Sequence, residues 1–225
     1  MNRLVLLGLG ALALAGCSRE PSPPATPAAS PPGATPAPIA TPSPQPPGQK
    51  ALTAQGPSFD CNQARSDAET LVCNDAALSA LDRRLAELYT GAQTRPDELD
   101  IAAEQQGWIK GRDACWQAVD SRRCLQEAYQ TRIVELQLEA MSGPGPAPVV
   151  FVCEGSDKPL SVTWFNDLEP QAARVQLGKD QALVFAAPSA SGTRYTREGV
   201  EFWEHQGEAT LDFYGTRLSC RKRQV

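Results

Sequence analysis

Seven cysteines and one histidine are the side chains of this 225-residue sequence with the most chemistry in them: Cys17, Cys61, Cys73, Cys115, Cys124, Cys153, Cys220 and His205. A thiol can hold a metal, act as a nucleophile, pair as a disulfide or carry a lipid, and its surroundings decide which. No Cys-x-x-Cys pair occurs, and His205 stands far along the chain from the four cysteines between 61 and 124. A zinc site therefore lacks its usual ligand spacing. One histidine also leaves little from which to build a nucleophile–base pair, so the chain is read as a non-enzyme that needs no metal and no cofactor. Cys17 closes an apolar leader in which Met1-Asn2-Arg3 is a short positive start and Leu4 to Ala15 are apolar or small. That run suits a signal-peptide core and is too short for a membrane-spanning helix, which needs ~20 apolar residues. Export puts the other six thiols in an oxidising compartment, where even numbers of cysteines read as disulfides.

The end of the leader, Leu14-Ala15-Gly16-Cys17, resembles the lipobox of bacterial lipoproteins. The resemblance implies a signal peptide of residues 1–16, cleavage before Cys17 and acylation of that cysteine; two or more acyl chains make a stable membrane anchor. Ser18 follows, where an aspartate would retain a Gram-negative lipoprotein at the inner membrane. That implies an outer-membrane lipoprotein facing the periplasm or the cell surface. Residues 17–56 continue as the lipidated N-terminus and a linker, and within it residues 21–48 hold 12 of the chain's 20 prolines. Such a composition buries too little apolar surface to fold. In extended polyproline conformation, at ~3.1 Å per residue, it would reach roughly 85 Å and act as a spacer.

The elements that must position everything else lie in the remaining stretch, which changes character at Ser142-Gly143-Pro144-Gly145-Pro146-Ala147-Pro148. Before it the pattern is helical and after it strand-like, so the fold class is α + β in two domains, 57–141 and 149–225. Four cysteines fall in the first and two in the second, and domains this small need such staples. In the first, Ser66-Asp67-Ala68-Glu69 is a capping box. Leu78, Leu81, Leu85 and Leu88 make one apolar stripe, a third helix is expected from Glu98 to Trp116, and a fourth from about Arg123 to Ala140. In that last helix Leu125, Tyr129, Ile133, Leu136 and Ala140 share a face. Trp108, Trp116 and Tyr89 are expected in the core, and Glu69 as a cap. Residues 57–141 carry 15 acidic and 9 basic side chains, a net of −6. That acidity suits a solvated surface or a basic partner and argues against nucleic acid.

The first domain resembles the N-terminal domain of LprI-type lysozyme inhibitors. The matching residues are Phe59-Asp60-Cys61, Glu69, Cys73, Leu81-Asp82, Tyr89, Gln106, Trp108, Arg112, Cys115, Cys124-Leu125, Tyr129 and Arg132. Its four cysteines allow three connectivities. Proximity favours the local pairs Cys61–Cys73 and Cys115–Cys124, with 61–115 and 73–124 links as the alternative.

The second domain holds short β-rich runs at 149–153, 160–165, 173–177, 182–186, 194–196, 200–203, 209–214 and 216–220, divided by turn residues. Seven or eight such strands suggest a small antiparallel β-barrel. A Cys153–Cys220 bridge would close a loop of about 67 residues and contribute roughly 4 kcal/mol. Phe151-Val152-Cys153, Ser189-Ala190-Ser191-Gly192-Thr193-Arg194-Tyr195-Thr196, Phe202-Trp203, Glu208-Ala209-Thr210-Leu211 and Cys220 resemble the membrane-bound and periplasmic inhibitors of C-type lysozyme, the MliC/PliC family.

That resemblance implies a barrel that plugs the active-site cleft of C-type lysozyme, a protein partner rather than a small-molecule substrate. Its binding surface would be Ser189, Ser191, Gly192, Thr193, Arg194, Tyr195 and His205. Small residues make a slim loop whose backbone approaches closely, and the Ser191 hydroxyl can donate to a catalytic carboxylate. Where the family carries Lys-Gly on the next hairpin, this sequence has His205-Gln206, with the glycine delayed to Gly207. The lysine's charged contact would fall to a side chain that changes charge near neutral pH, so inhibition would tighten below neutrality. The other reading is an envelope lipoprotein that binds another protein or a cell-wall fragment and does not inhibit lysozyme.

Overall fold

Ser66 opens the first helix by accepting a hydrogen bond from the Glu69 amide at 3.1 Å, while the Glu69 carboxylate accepts from the Arg65 amide at 2.7 Å. In the computed structural model, which describes residues 56–95 and 100–224, this helix is α1, Asp67–Asn74. The leader, Cys17 and the proline-rich linker lie outside the described residues. Asp75 ends α1 and caps α2, Ala76–Gln93, by accepting from the Ala77 and Leu78 amides at 2.9 and 3.0 Å. The bond from Leu78 and the Arg122 guanidinium hold its carboxyl below the usual 3.8. Asp100 caps α3, Ile101–Asp113, and Asp120 caps α4, Ser121–Ala140. The third helix is shorter than expected. It tightens into a 3-10 turn at Ala114–Gln117, so Trp116 leaves the core and is 62% exposed. Glu98 lies outside the described residues.

Leu78 and Leu85 of α2 are buried against Leu125, Tyr129, Ile133 and Leu136 of α4, while Ala140, in phase with them, ends the helix and is exposed. The cysteines pair as Cys61–Cys73 and Cys115–Cys124, stapling both corners of the helical part. Its core contains a chain of polar groups. Asp82, 6% exposed, accepts from the Ser58 amide and hydroxyl at 2.6 Å each and from the Tyr129 hydroxyl at 2.9 Å. Arg112 donates to Tyr129 at 3.3 Å and to Asp113 at 2.9 and 2.7 Å, and it lies 5.4 Å over the Trp108 ring. Burial, with the Asp82 charge beside it, pushes the Tyr129 hydroxyl well above the usual phenol range.

Eight strands follow: β1 Val149–Cys153, β2 Leu160–Phe165, β3 Ala172–Leu177, β4 Asp180–Ala187, β5 Thr193–Arg197, β6 Val200–His205, β7 Glu208–Phe213 and β8 Thr216–Lys222. Each pairs antiparallel with the next and β8 pairs with β1, closing the barrel. Alternate residues such as Phe151, Val162, Val175, Tyr195, Phe202 and Leu211 fill the interior. Cys153 and Cys220 face one another across the closing seam and are bonded.

α4 has a second apolar face. Val134 is fully buried with Ala172 and Phe185, and Leu138, Leu168 and Leu183 pack around them on the outside of the barrel. At the other end of the helix both Glu127 oxygens accept from the Glu198 amide, at 2.9 and 3.0 Å. Among the described residues the helices and the barrel thus form one compact unit.

Replacing Asp82 by alanine leaves the Tyr129 hydroxyl and the Ser58 donors without their buried acceptor. We expect a loss of about 2–4 kcal/mol, read from denaturant unfolding followed by helical circular dichroism. An unchanged midpoint would show the network to be energetically idle.

Candidate functional site

The segment 188–192 joins β4 to β5 at one end of the barrel, and Ser189, Ala190, Ser191, Gly192 and Thr193 are all exposed. The loop is pinned through one atom. The Ser191 carbonyl accepts from the Ser189 hydroxyl at 2.5 Å and from the Trp203 indole nitrogen at 2.9 Å. The Ser191 hydroxyl makes no hydrogen bond to the described residues. Gly192 has φ +66°, and a Cβ there would overlap the Glu204 carbonyl oxygen and lie 2.9 Å from the His205 Cβ. Both the left-handed backbone and the close approach demand glycine. The loop is therefore pressed onto the last residues of β6.

His205 is the final residue of β6, half-buried, with its ring stacked on Trp203 at 5.9 Å between centroids. Trp203 and His205 share a strand face because side chains alternate. The delayed glycine does not deform the hairpin. His205 pairs with Glu208 across a two-residue turn, Gln206 at φ +53° and Gly207 at φ +85°. Positive φ at both positions is the type I′ geometry that matches strand twist. The Glu204 carboxylate accepts from the Gly207 amide at 2.8 Å, and the Gly207 carbonyl accepts from the Lys222 amide at 2.7 Å. Exposed Lys222 therefore flanks the same turn.

The structure brings Ser189, Ser191, Gly192, Thr193 and His205 together at one end. Arg194 points out from β5, and its guanidinium donates to Glu201 at 2.7 Å, a bond that raises its pKa. Tyr195 does not belong to the exposed surface. It is 2% exposed inside the barrel and donates its hydroxyl to Asn166 at 2.9 Å, and burial raises its pKa. Its inward position follows from strand alternation, since Arg194 and Thr196 take the outer face. Trp203, named above only as part of the Phe202-Trp203 motif, is the clamp of the loop. The arrangement offers hydroxyl and amide donors on a narrow, fixed tip.

Residues 61–136 match the family described as lysozyme inhibitor LprI, and residues 151–219 match the family described as membrane-bound lysozyme-inhibitor of c-type lysozyme, MliC. Lipoprotein LprI of Mycobacterium tuberculosis is 40% identical over 166 residues, covering 74% of this chain and 84% of that protein. The protein of the same name from Mycobacterium bovis gives the same figures. A membrane-bound lysozyme inhibitor of C-type lysozyme from Cupriavidus necator is 34% identical over 74 residues, covering 33% of this chain and 58% of that one. Among solved structures, Pseudomonas aeruginosa MliC in complex with hen egg white lysozyme is 26% identical, with a TM-score of 0.31, and covers 37% of this chain and 91% of that one.

Gly192→Ala should lower stability by about 1–3 kcal/mol, because it places a side chain at positive φ against a neighbouring strand. Trp203 emission should change as the indole loses its hold on the loop. Gly145, where a Cβ would meet nothing within 4 Å, serves as the control, and Gly145→Ala should stay within about 0.5 kcal/mol of the parent. Equal melting of the two variants would show the loop to be slack.

Proposed function

Since the chain belongs to the LprI lipoprotein family, we propose that it is an envelope lipoprotein which inhibits C-type lysozyme by inserting the 189–192 loop into the enzyme's cleft. Lysozyme cleaves glycosidic bonds with two carboxyl groups, one kept protonated and one ionised. A plug for that cleft must be slim, stiff and able to satisfy those groups. The observation that carries the reading is the Ser191 peptide: its carbonyl is held by Ser189 and Trp203, while its hydroxyl has no bond within the described protein. A hydroxyl so placed donates to a carboxylate at little entropic cost, because the loop is already ordered. His205, against which Gly192 packs, and Lys222, which flanks the β6–β7 turn, are the side chains offered to the second carboxylate. Tyr195 and Trp203 act from behind, one as core and one as clamp.

In this reading, residues 1–16 are a signal peptide, Cys17 carries the lipid, and the linker up to residue 56 holds the folded part off an outer membrane. The protein faces the periplasm or the cell surface. The barrel, 149–225, carries the inhibitory loop, and the helical part, 57–141, braces it. The protein has no enzymatic activity of its own.

Ser191→Ala should weaken inhibition by about 1–3 kcal/mol, roughly tenfold to a hundredfold, with an unchanged circular dichroism spectrum. Clearing of a cell-wall suspension by lysozyme measures it, and undiminished inhibition would rule out the loop as the plug. His205→Lys should strengthen inhibition more at pH 8 than at pH 6. Lysine is charged at both, whereas histidine is the residue type whose charge ordinarily changes between pH 5 and 8. Titration calorimetry at the two pH values that gives equal gains would exclude His205 from the contact.

A further inference from the structure

α4 and the outer face of β5 to β8 enclose a groove of about 1290 Å³. Strand register lays Thr196, Glu201, Asp212 and Arg217 side by side across its floor. Arg122, Arg123, Gln126 and Gln130 of α4 form one wall. Five arginines line the groove, counting Arg194 and Arg197, against three carboxylates, Glu127, Glu201 and Asp212. The groove is thus locally basic in a chain of net charge −5.

The arginines are oriented but not saturated. Arg217 uses its Nε on Asp212 at 3.0 Å, Arg123 its Nε on Glu127 at 2.8 Å, and Arg194 one terminal nitrogen on Glu201 at 2.7 Å. A guanidinium has five N–H donors, so each keeps several for a ligand. The Arg197 Nε is buried with no partner among the described residues.

Tyr214 marks one end of the groove. It is 63% exposed and has φ +49°, a conformation that a bulky residue rarely adopts. Its amide donates to the Gly199 carbonyl at 2.7 Å, and its ring covers Gly199 so closely that a Cβ there would lie 2.6 Å from it. Tyr214 and Gly215, both at positive φ between paired Phe213 and Thr216, form a two-residue type I′ turn that holds the aromatic ring out towards solvent.

The lining excludes several ligands. The barrel is closed, so no strand edge is open to an added peptide strand. Phe185, Val200 and Leu211 line the groove but are 5%, 2% and 1% exposed, so besides Tyr214 the apolar lining open to solvent is Ala186, Ala187, Pro188 and half-buried Leu218, small side chains beside the charged floor. A polyphosphate would satisfy the arginines but offers no donor to Glu201 and Asp212. What fits alternating guanidinium and carboxylate groups is a ligand rich in hydroxyls that also carries carboxylates. Hydroxyls donate to Glu201 and Asp212 and accept from arginine. Ligand carboxylates pair with the unused guanidinium donors, and a sugar ring can lie on the face of Tyr214. We propose that this groove binds a carboxylate-bearing glycan, the chemistry of a peptidoglycan strand. The site is separate from the 189–192 loop and does not rest on the lysozyme reading.

Titration calorimetry of the full chain tests it with three probes: soluble uncrosslinked peptidoglycan strands, chitotetraose as a neutral glycan, and poly-L-glutamate as carboxylates without sugar. Peptidoglycan strands should bind at least about tenfold more tightly than either control. Arg217→Glu, at a side chain 86% exposed, should weaken strand binding about tenfold and leave lysozyme inhibition and circular dichroism unchanged. Tyr214→Asn keeps a residue that tolerates positive φ while removing the ring, and should weaken binding similarly. No binding of the strands at millimolar concentration, equal binding of poly-L-glutamate, or wild-type affinity in both variants would overturn the proposal.

Discussion

One helix is built into two cores. On one side α4 gives Leu125, Tyr129, Ile133 and Leu136 to the helical bundle, and on the other it gives Val134 and Leu138 to the outer wall of β3 and β4. Glu127 joins the same helix to the β5–β6 turn through the Glu198 amide. The apolar part of this second contact is small, with Val134, Ala172 and Phe185 as its buried members. Polar groups extend it, and Thr131, Glu139 and Arg197 each have one buried atom without a hydrogen bond among the described residues, the Glu139 oxygen lying 3.8 Å from the Arg95 guanidinium. Neither core is large, and burial on both sides of α4 gives each a wall it would otherwise lack.

The disulfides act at corners and at the closing seam, with Cys115, Cys153 and Cys220 buried in the cores they staple. Cys61–Cys73 and Cys115–Cys124 sit at the corners of the helical part, next to the 3-10 turns. Cys153–Cys220 joins the first and last strands where the barrel closes. A closed barrel has no edge strand to protect, but its closing seam is the pairing most distant in sequence. Loop closure makes such a pairing entropically costly, and a covalent link there restricts the unfolded chain, so less entropy is lost on folding.

Local patterns in the sequence were legible where one residue type answers one physical need. Ser66 and Glu69 cap α1 as their spacing implied, and the strand runs lie within one or two residues of the observed strands. The barrel's closure follows from strands that alternate in burial and neighbour one another in order. The second face of α4 was hidden, because Val134 and Leu138 fall outside the single stripe traced by Leu125, Tyr129 and Ile133. A helix buried on two sides blurs the amphipathic signal. Trp116 misled for a different reason. It stands at helical spacing from Trp108, but the chain tightens into a 3-10 turn just before it, which rotates the residue to solvent. In the loop, Gly192 was readable as a need for small residues. Its actual cause, a carbonyl of β6 lying against it, is a contact between strands that spacing alone does not encode.

Rigid scaffold and exposed loop are linked in the barrel by ordinary β-sheet geometry. Tyr195 anchors β5 from inside, with its hydroxyl on Asn166, while three residues earlier the same chain is held from outside by Gly192 against β6. Between these points the backbone has little freedom, so the exposed tip inherits the order of the barrel. Trp203 completes the arrangement because it sits on the outer face, directly opposite Arg194 in the register, where its indole reaches the Ser191 carbonyl. A loop ordered before it meets a partner loses less entropy on binding than one that must be ordered then. The same logic applies at the opposite end, where Tyr214 is fixed over Gly199. Both ends of the barrel therefore present side chains whose positions depend on a glycine, Gly192 where a Cβ would strike the β6 backbone and Gly199 where it would displace the Tyr214 ring.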